Sequence, residues 1–534
     1  MRKKDSPHAR LNPWRLFVRL FLNQMMLTLF LVFIQIVVIV VGAYAAVYYI
    51  LKESQTWFWL LIILAIIDLL LRIVLTVITL NRRIDPSYKI TWLVIISLFP
   101  FLGSLFYLFI QIIPNSRLIV RWLNEKVAET RHLHRQDEIV VANLKKQLPH
   151  YAPLCAYLNR YGDASTYQDN QLEFYPLGDV FFPAMIAALE KAEKFIFLEY
   201  FIITPGLMWD TILKILERKV KEGVEIRLMY DGFNTFTSLP RNYYMKMRRK
   251  GIKCRVFAPI KAVLSSYQNN RDHRKICVVD GKVGFVGGIN IADEYINQHV
   301  RFGHWKDTAL RIEGSAVNAL TIQFINMWSV RSKKPQIVEK YLIEHPQNKT
   351  PADNFVTPYT DAPENNENPA ENIYLFLLAN AKRYYHIHTP YLVLNDRLLR
   401  ALLFAAKRGV EVVIIMPSIP DKKIPFYVAR SYYKELLEAG IQIYEYTPGF
   451  NHGKVVVTDD QYFTVGTVNF DFRSLYLNYE NGVVAYDPQI AKIIEDDFQK
   501  TLEVSEKITF AKIKTFSRSS RFIGRVMRIF ETFF

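Results

Sequence analysis

Two histidines, His273 and His452, each stand two residues before a lysine (Lys275, Lys454) and seven before an aspartate (Asp280, Asp459). Gly287 and Gly466, then Asn290 and Asn469, follow at matching distances. The stretches "HRKICVVDGKVGFVGGIN" (273–290) and "HGKVVVTDDQYFTVGTVN" (452–469) align without a gap. Residues two apart on a strand project from one face, so each copy delivers an imidazole and an ammonium to one spot. Two such sets suit a phosphodiester. Ammonium and amide groups stabilise charge on the non-bridging oxygens, while one imidazole attacks phosphorus and the other moves protons. That chemistry asks for no metal or other cofactor, and His-Lys pairs are poor metal ligand sets. A lone His-x-Lys reads as a solvated strand face; two matched copies favour function. Asp280 and Asp459 precede glycine or aspartate at strand ends, where fixing a turn is a natural task.

The elements that must carry these motifs also come in pairs. "FIFLEYFII" (195–203) predicts a buried strand, "WDTILKILERKVKEG" (209–223) an amphipathic helix, and "VEIRLMYD" (224–231) a second strand. "RYYHIHTPYLV" (383–393) and "LLRALLFAAKRGVEVVIIMPS" (398–418) repeat that series, and "AGIQIYEY" (439–446) matches "KGIKCRVF" (250–257). The expectation is an α/β protein with two duplicated domains, 171–334 and 354–506, related by a pseudo-two-fold. A proline-containing polar junction at 335–353 joins them.

The first 112 residues differ in kind, with three apolar segments at about 24–50, 57–80 and 90–112. The first exceeds the ~20 residues that span a bilayer core, so this region predicts transmembrane helices. In the second, Asp68 and Arg72 are four apart and share a helix face. The third carries Pro100 and Gly103 and predicts a re-entrant or shallow hairpin. Basic clusters on both flanks then place the large remainder on the cytoplasmic side, the chain being multi-pass. Residues 113–170 read as a basic, helical juxtamembrane linker, and 507–534 as a basic amphipathic helix lying on anionic lipid. The net charge of +17 over 534 residues calls for a polyanionic partner, and beside apolar segments the anionic membrane surface is a simpler choice than nucleic acid. Three scattered cysteines, Cys155, Cys254 and Cys277, form no disulfide framework.

The paired H-x-K-x4-D motifs with trailing G-[GT]-x-N resemble those of the phospholipase D superfamily, over roughly residues 171–500. The stretches "DPSYKITWLVIISLFPFLGSLFYL", "HWKDTALRI" and "VGTVNFDFRSLYLNYE" resemble, more closely, bacterial cardiolipin synthases. Gly453 departs from the serine that related synthases usually carry there. The resemblance implies a phosphatidyltransferase that makes cardiolipin and glycerol from two phosphatidylglycerols through a phosphohistidine. His273 is then the nucleophile and His452 the acid/base, with Lys275 and Lys454 in the catalytic set, together with Asp280 and Asp459 of the motif. Asn290 and Asn469 bind phosphate. Asp307 follows His273 by 34 residues and Glu480 follows His452 by 28; both resemble histidine-orienting carboxylates. A hydrolase or another phosphatidyltransferase would use the same residues, and an anionic-lipid-binding scaffold is the non-enzymatic alternative.

Overall fold

A computed structural model of the chain describes residues 42, 48, 55–82, 84–112, 115–134, 136–168, 170–259, 270–330, 332, 336–344, 353–363 and 367–534. The expected segment at 24–50 and the basic residues before it lie outside these, Gly42 and Tyr48 apart. The chain divides into a unit ending at Pro114 and a larger one beginning at Asn115.

In the first unit the expected second segment is a helix, Gln55–Asn81. Its Ile62–Asn81 stretch is long and apolar enough to cross a membrane, and among the described residues it alone is. Asp68 is buried in this helix and pairs with Arg72 at 2.9 Å. The third segment breaks in two, Pro86–Leu98 and Leu102–Ile112. Phe101 takes φ of 59° at the break. A Cβ on Gly103 would fall 2.3 Å from the Ile95 carbonyl oxygen, so only glycine lets the two pieces meet. The backbone amide that the break exposes, that of Phe101, donates to Asp68 at 2.8 Å. Asp68 thus neutralises a cation and caps irregular backbone in an apolar setting, where an unsatisfied amide is costly.

Among the described residues the larger unit holds eighteen strands. Those of its first half are β1 (Tyr167–Gln168), β2 (Gln171–Tyr175), β3 (Phe195–Tyr200), β4 (Glu225–Asp231) and β5 (Lys253–Phe257). They continue with β6 (Lys275–Val279), β7 (Val283–Gly287), β8 (His304–Lys306) and β9 (Ala309–Glu313). The second half supplies β10 (Phe355–Asp361), β11 (Tyr384–His388), β12 (Glu411–Pro417), β13 (Gln442–Tyr446) and β14 (Gly449–Asn451). It ends with β15 (Val455–Thr458), β16 (Tyr462–Gly466), β17 (Glu480–Tyr486) and β18 (Ser505–Lys507).

One sheet runs β2-β9-β7-β6-β3-β4-β5, and the other β1-β10-β17-β16-β15-β11-β12-β13-β18. Without its two outermost strands, the second order matches the first strand for strand, so the repeat is structural as well as sequential. β3, β4 and β5 pair in parallel, as do β11, β12 and β13, which is why helices cross over between them. β3 is buried along its whole length, and its residues are aromatic or aliphatic apart from Glu199.

The two sheets share one core. Phe197, Ile276, Val278 and Leu310 of the first join Val455, Val457, Phe463 and Val483 of the second, with the helix Val317–Ser329 between their residues. That shared core fixes the halves against each other.

Three expectations need correction. Residues 113–170 are not a linker: Ile119 and Leu123 of the helix Asn115–Thr130 enter the shared core, and β1 pairs with β10. Apolar residues spaced along that helix found a partner face, which a charge count does not reveal. The C-terminal segment is not one helix but two, Phe510–Thr515 and Arg518–Arg528, divided at Phe516 and Ser517. Nor does it lie wholly outside the domain. A Cβ on Gly524 would meet the Tyr427 carbonyl oxygen at 2.2 Å, and Arg528 stacks over Tyr432 at 3.9 Å. Its other face keeps Phe522, Ile523 and Val526 exposed.

Candidate active site

Each motif histidine sits just before the central strand of its half, where that strand leaves its own sheet and touches the other half. His273 precedes β6. Its amide donates to the Tyr479 carbonyl at 2.9 Å, and the Tyr479 amide donates to Arg271 at 2.8 Å. His452 follows β14, which pairs in parallel with β8, and its amide donates to the Lys306 carbonyl at 2.6 Å. The residues after Tyr479 and Lys306 are Glu480 and Asp307. Backbone pairing therefore carries each carboxylate to an imidazole of the opposite half.

His273 Nδ1 lies 2.8 Å from Glu480 Oε2 and His452 Nδ1 lies 2.5 Å from Asp307 Oδ2. The spacing in sequence put each carboxylate after its own half's histidine; the structure crosses them. Both carboxylates are fully buried. Asp307 is tightly housed: a Cβ on Gly288 would lie 2.1 Å from its Oδ1. At the matching place in the second half, Thr467 donates its hydroxyl to Glu480. The variable position of G-[GT]-x-N is thus the residue that backs the carboxylate.

Lys275 and Lys454 are buried, and each ammonium donates to the carbonyl of the histidine two residues earlier. With the ring of that histidine fixed by its carboxylate, one rigid strand start presents both groups. Burial draws Lys275 down to about 7 and Lys454 to about 8, with Lys454 adding to the fall of Lys275 and Asp307 and Glu480 opposing that of Lys454. Burial, then Lys275, Lys454 and His452, hold His273 well below the ordinary imidazole range. His452 is brought to about 4 by burial first, against the opposing pull of Asp307. Glu480 is pushed up to about 7 by burial. Each histidine bonds a carboxylate of the opposite half, which brings both sets to the seam between the halves.

Aromatic rings supply the dryness. Trp305 and Phe450 each stand 5.5 Å from the His452 ring and Tyr295 5.6 Å, while Phe201 stands 5.1 Å from His273. Phe201 belongs to the aromatic run "YFII" (200–203) that the sequence offers as surroundings of the site, whereas Trp305, Phe450 and Tyr295 read equally well as core. Asn290 donates from Nδ2 to Tyr295 at 2.7 Å and accepts from the Ile202 amide at 3.0 Å. Asn469 donates from Nδ2 to Ser474 at 3.0 Å. Each amide nitrogen retains a second hydrogen for another acceptor.

Asp280 and Asp459 sit at the opposite end of β6 and β15 from the histidines. Both take left-handed φ, 54° and 57°, in the hairpin at the far end of β6 and β15. Asp280 accepts from the amides of Glu193, Lys194 and Phe195 within 2.7–2.8 Å. Asp459 does the same for Lys382, Arg383 and Tyr384 within 2.8–3.1 Å. Each carboxylate anchors the entry of the neighbouring strand, β3 or β11. Holding those strands in register is a positional duty, and the turn-fixing reading is the one the geometry supports.

Two matches to known families cover this frame. "Cardiolipin synthase, PLD-like domain" matches residues 185–328 and 374–502, and "Phospholipase_D-nuclease N-terminal" matches 69–111. An uncharacterised protein of Streptococcus mutans is 43% identical over 84% of this chain and 97% of its own. A cardiolipin synthase of Geobacillus kaustophilus is 36% identical over 79% of this chain and 84% of its own. Among solved structures, the phosphatidylserine synthase of Haemophilus influenzae aligns over 68% of this chain and 95% of its own, with a TM-score of 0.53 at 16% identity. That last likeness is one of fold.

Proposed function

The chain belongs to the cardiolipin synthases with phospholipase D-like domains, and from that premise we propose that it transfers a phosphatidyl group between two phosphatidylglycerols, releasing glycerol. The reading rests above all on the crossed histidine–carboxylate pairs, each flanked by a buried ammonium.

His273 is the nucleophile. Its Nδ1–H is directed to Glu480, which leaves the Nε2 lone pair for phosphorus, and its depressed proton affinity keeps that lone pair open at neutral pH. As the phosphorus–nitrogen bond forms, the bond to glycerol oxygen breaks and His452 supplies the proton to the leaving alkoxide. The acceptor's terminal hydroxyl then gives its proton back to His452. Its oxygen takes phosphorus as the phosphorus–nitrogen bond breaks, which yields cardiolipin. Burial holds His452 at about 4, but a bound phosphodiester anion adds the negative charge that favours its protonation. Lys275, Lys454, Asn290 and Asn469 stabilise the charge on the non-bridging oxygens. The exchange is diester for diester, so its direction follows lipid concentration and the exclusion of water.

The apolar N-terminal unit anchors the chain in a multi-pass arrangement. The helix Gln55–Asn81 is one crossing, the broken pair Pro86–Leu98 and Leu102–Ile112 forms a re-entrant hairpin, and the larger unit faces the cytoplasm. The exposed face of the Arg518–Arg528 helix, Phe522 and Val526 beside Arg518 and Arg525, meets anionic lipid.

The test is purified full-length chain given phosphatidylglycerol with label in both the phosphate and the headgroup. Cardiolipin and glycerol in equal amounts are expected, with a labelled phosphoenzyme that His273→Ala abolishes. Phosphatidic acid as the sole lipid product would overturn the reading in favour of hydrolysis.

A further inference from the structure

The two halves do not wall the site alike. The isolated bridges Ile203–Ile291 and Leu392–Phe470 set the register of the repeat beside the site, so that Tyr391 stands where the first half has Ile202. The loop leaving β12 likewise answers the one leaving β4. In the first half Ile202 is apolar, and beside it Phe201 lies against His273 and stacks on Phe233 at 5.9 Å. In the second half Tyr391 brings a hydroxyl to the matching place. Tyr391 donates its hydroxyl to Asp421 Oδ2 at 2.6 Å, and Lys422 Nζ lies 5.4 Å from the Tyr391 ring.

Asp421 Oδ1 is buried and meets no hydrogen-bond donor among the described residues. A buried carboxylate oxygen left without a donor costs free energy, and native proteins rarely leave one without a use. The loop is also close to the chemistry: Tyr391, which holds Asp421, adjoins Leu392, and Leu392 bridges to Phe470, the residue after Asn469. Asp421 is among the carboxylates that oppose the burial-driven fall of Lys454, and it acts on Tyr295, whose ring faces His452. Lys422, in turn, is among the cations that act on His273 after burial and the motif groups.

A phosphatidylglycerol acceptor brings two hydroxyls, one that attacks and one that does not. On the synthase reading above, we propose that Asp421 Oδ1 accepts a hydrogen bond from the non-reacting secondary hydroxyl of the acceptor's glycerol headgroup, with Tyr391 positioning the carboxylate. Water has no second hydroxyl group to offer, so the same contact favours transfer over hydrolysis. Asp421 is then a residue that selects the acceptor, and the polar wall marks the acceptor side of the site.

The experiment uses the full-length chain in vesicles of phosphatidylglycerol, comparing wild type, Asp421→Asn and Tyr391→Phe. The measured quantity is the ratio of cardiolipin to phosphatidic acid, which does not depend on how much of each preparation is folded. Asp421→Asn keeps an oxygen for Tyr391 and is expected to lower the ratio about tenfold, the scale of one hydrogen bond to a charged group. Tyr391→Phe is expected to lower it less. A second arm offers phosphatidyl-1,3-propanediol, which lacks the secondary hydroxyl, as competing acceptor. Wild type should prefer phosphatidylglycerol by about tenfold, and Asp421→Asn should lose that preference. If wild type makes cardiolipin while Asp421→Asn keeps both ratio and preference, the acceptor contact is wrong and the synthase reading stands. If wild type makes only phosphatidic acid, the synthase reading fails and takes the contact with it.

Discussion

Beneath His273, Arg274 is clamped between the buried carboxylates of Glu199 and Asp272. At the matching positions beneath His452 stand Gly453, His388 and Asn451, with Asn451 Nδ2 3.2 Å from His388 Nδ1. One imidazole is carried on a buried arginine held between two acids, the other on a glycine, an imidazole and an amide. The strand order and the motif spacing are nevertheless the same in both halves. Backbone geometry and local charge have therefore diverged independently after the duplication, with geometry held and charge released. Two imidazoles presented alike but supported differently can divide the labour of nucleophile and proton carrier, which an exact copy would not allow.

The comparison predicts unequal failure when the crossed carboxylates are removed. Glu480→Gln and Asp307→Asn should each lower kcat by about a thousandfold or more, the scale known for loss of a carboxylate behind a catalytic imidazole. They should separate on a phosphatidyl ester with a nitrophenol leaving group, which needs no proton. Stopped-flow release of nitrophenol should recover in Asp307→Asn, whose His452 serves proton transfer, and stay slow in Glu480→Gln, whose His273 makes the bond. Recovery in the opposite variant would exchange the roles of the two halves.

A smaller effect follows from the lysines. Their charge is present below about 7 for Lys275 and about 8 for Lys454 and is lost as pH rises through those values. Since the free enzyme must present ammonium to a phosphodiester, kcat/KM should fall from about pH 7 upward, and initial-rate profiles should place the steeper loss above pH 8. Stability should run the other way. A lysine whose proton affinity is depressed by folding binds more protons when unfolded, so from about pH 7 up to the ordinary lysine range stability rises with pH. Thermal unfolding across that range checks the sign.

The smallest expected effect concerns Gly453. A Cβ there would meet the His388 Cβ at 3.3 Å, a contact the strand backbone must yield to accept. Gly453→Ser should cost about 1 kcal/mol of stability, the low end of overpacking, seen as a modest fall in thermal midpoint.

The sequence disclosed much of this site because its key residues obey strand periodicity. His273 and Lys275 are two apart on one extended run, and the gapless second copy removed the solvated-face reading. Asp280 was legible as a turn residue because aspartate before glycine tolerates left-handed backbone. The crossing of Glu480 and Asp307 was not legible. It depends on β14 pairing with β8 and on Tyr479 meeting Asp272, pairings between residues far apart in the chain. Asp421 left no sign either, for a single acid in a loop after a strand is ordinarily solvated. Residues 115–130 misled because their charge pattern hid the apolar face that Ile119 and Leu123 turn to the core.

Glu480 lies 207 positions from the imidazole it serves, and Asp307 lies 145 from its own. Neither half owns a complete machine. A gene that kept only one copy of the motif would encode a lobe that can complete its histidine–carboxylate pairs only against a second copy of itself. Recombination that swapped a single lobe between distant lineages would ask strangers to complete each other. Within this chain the two lobes can therefore work only as one unit.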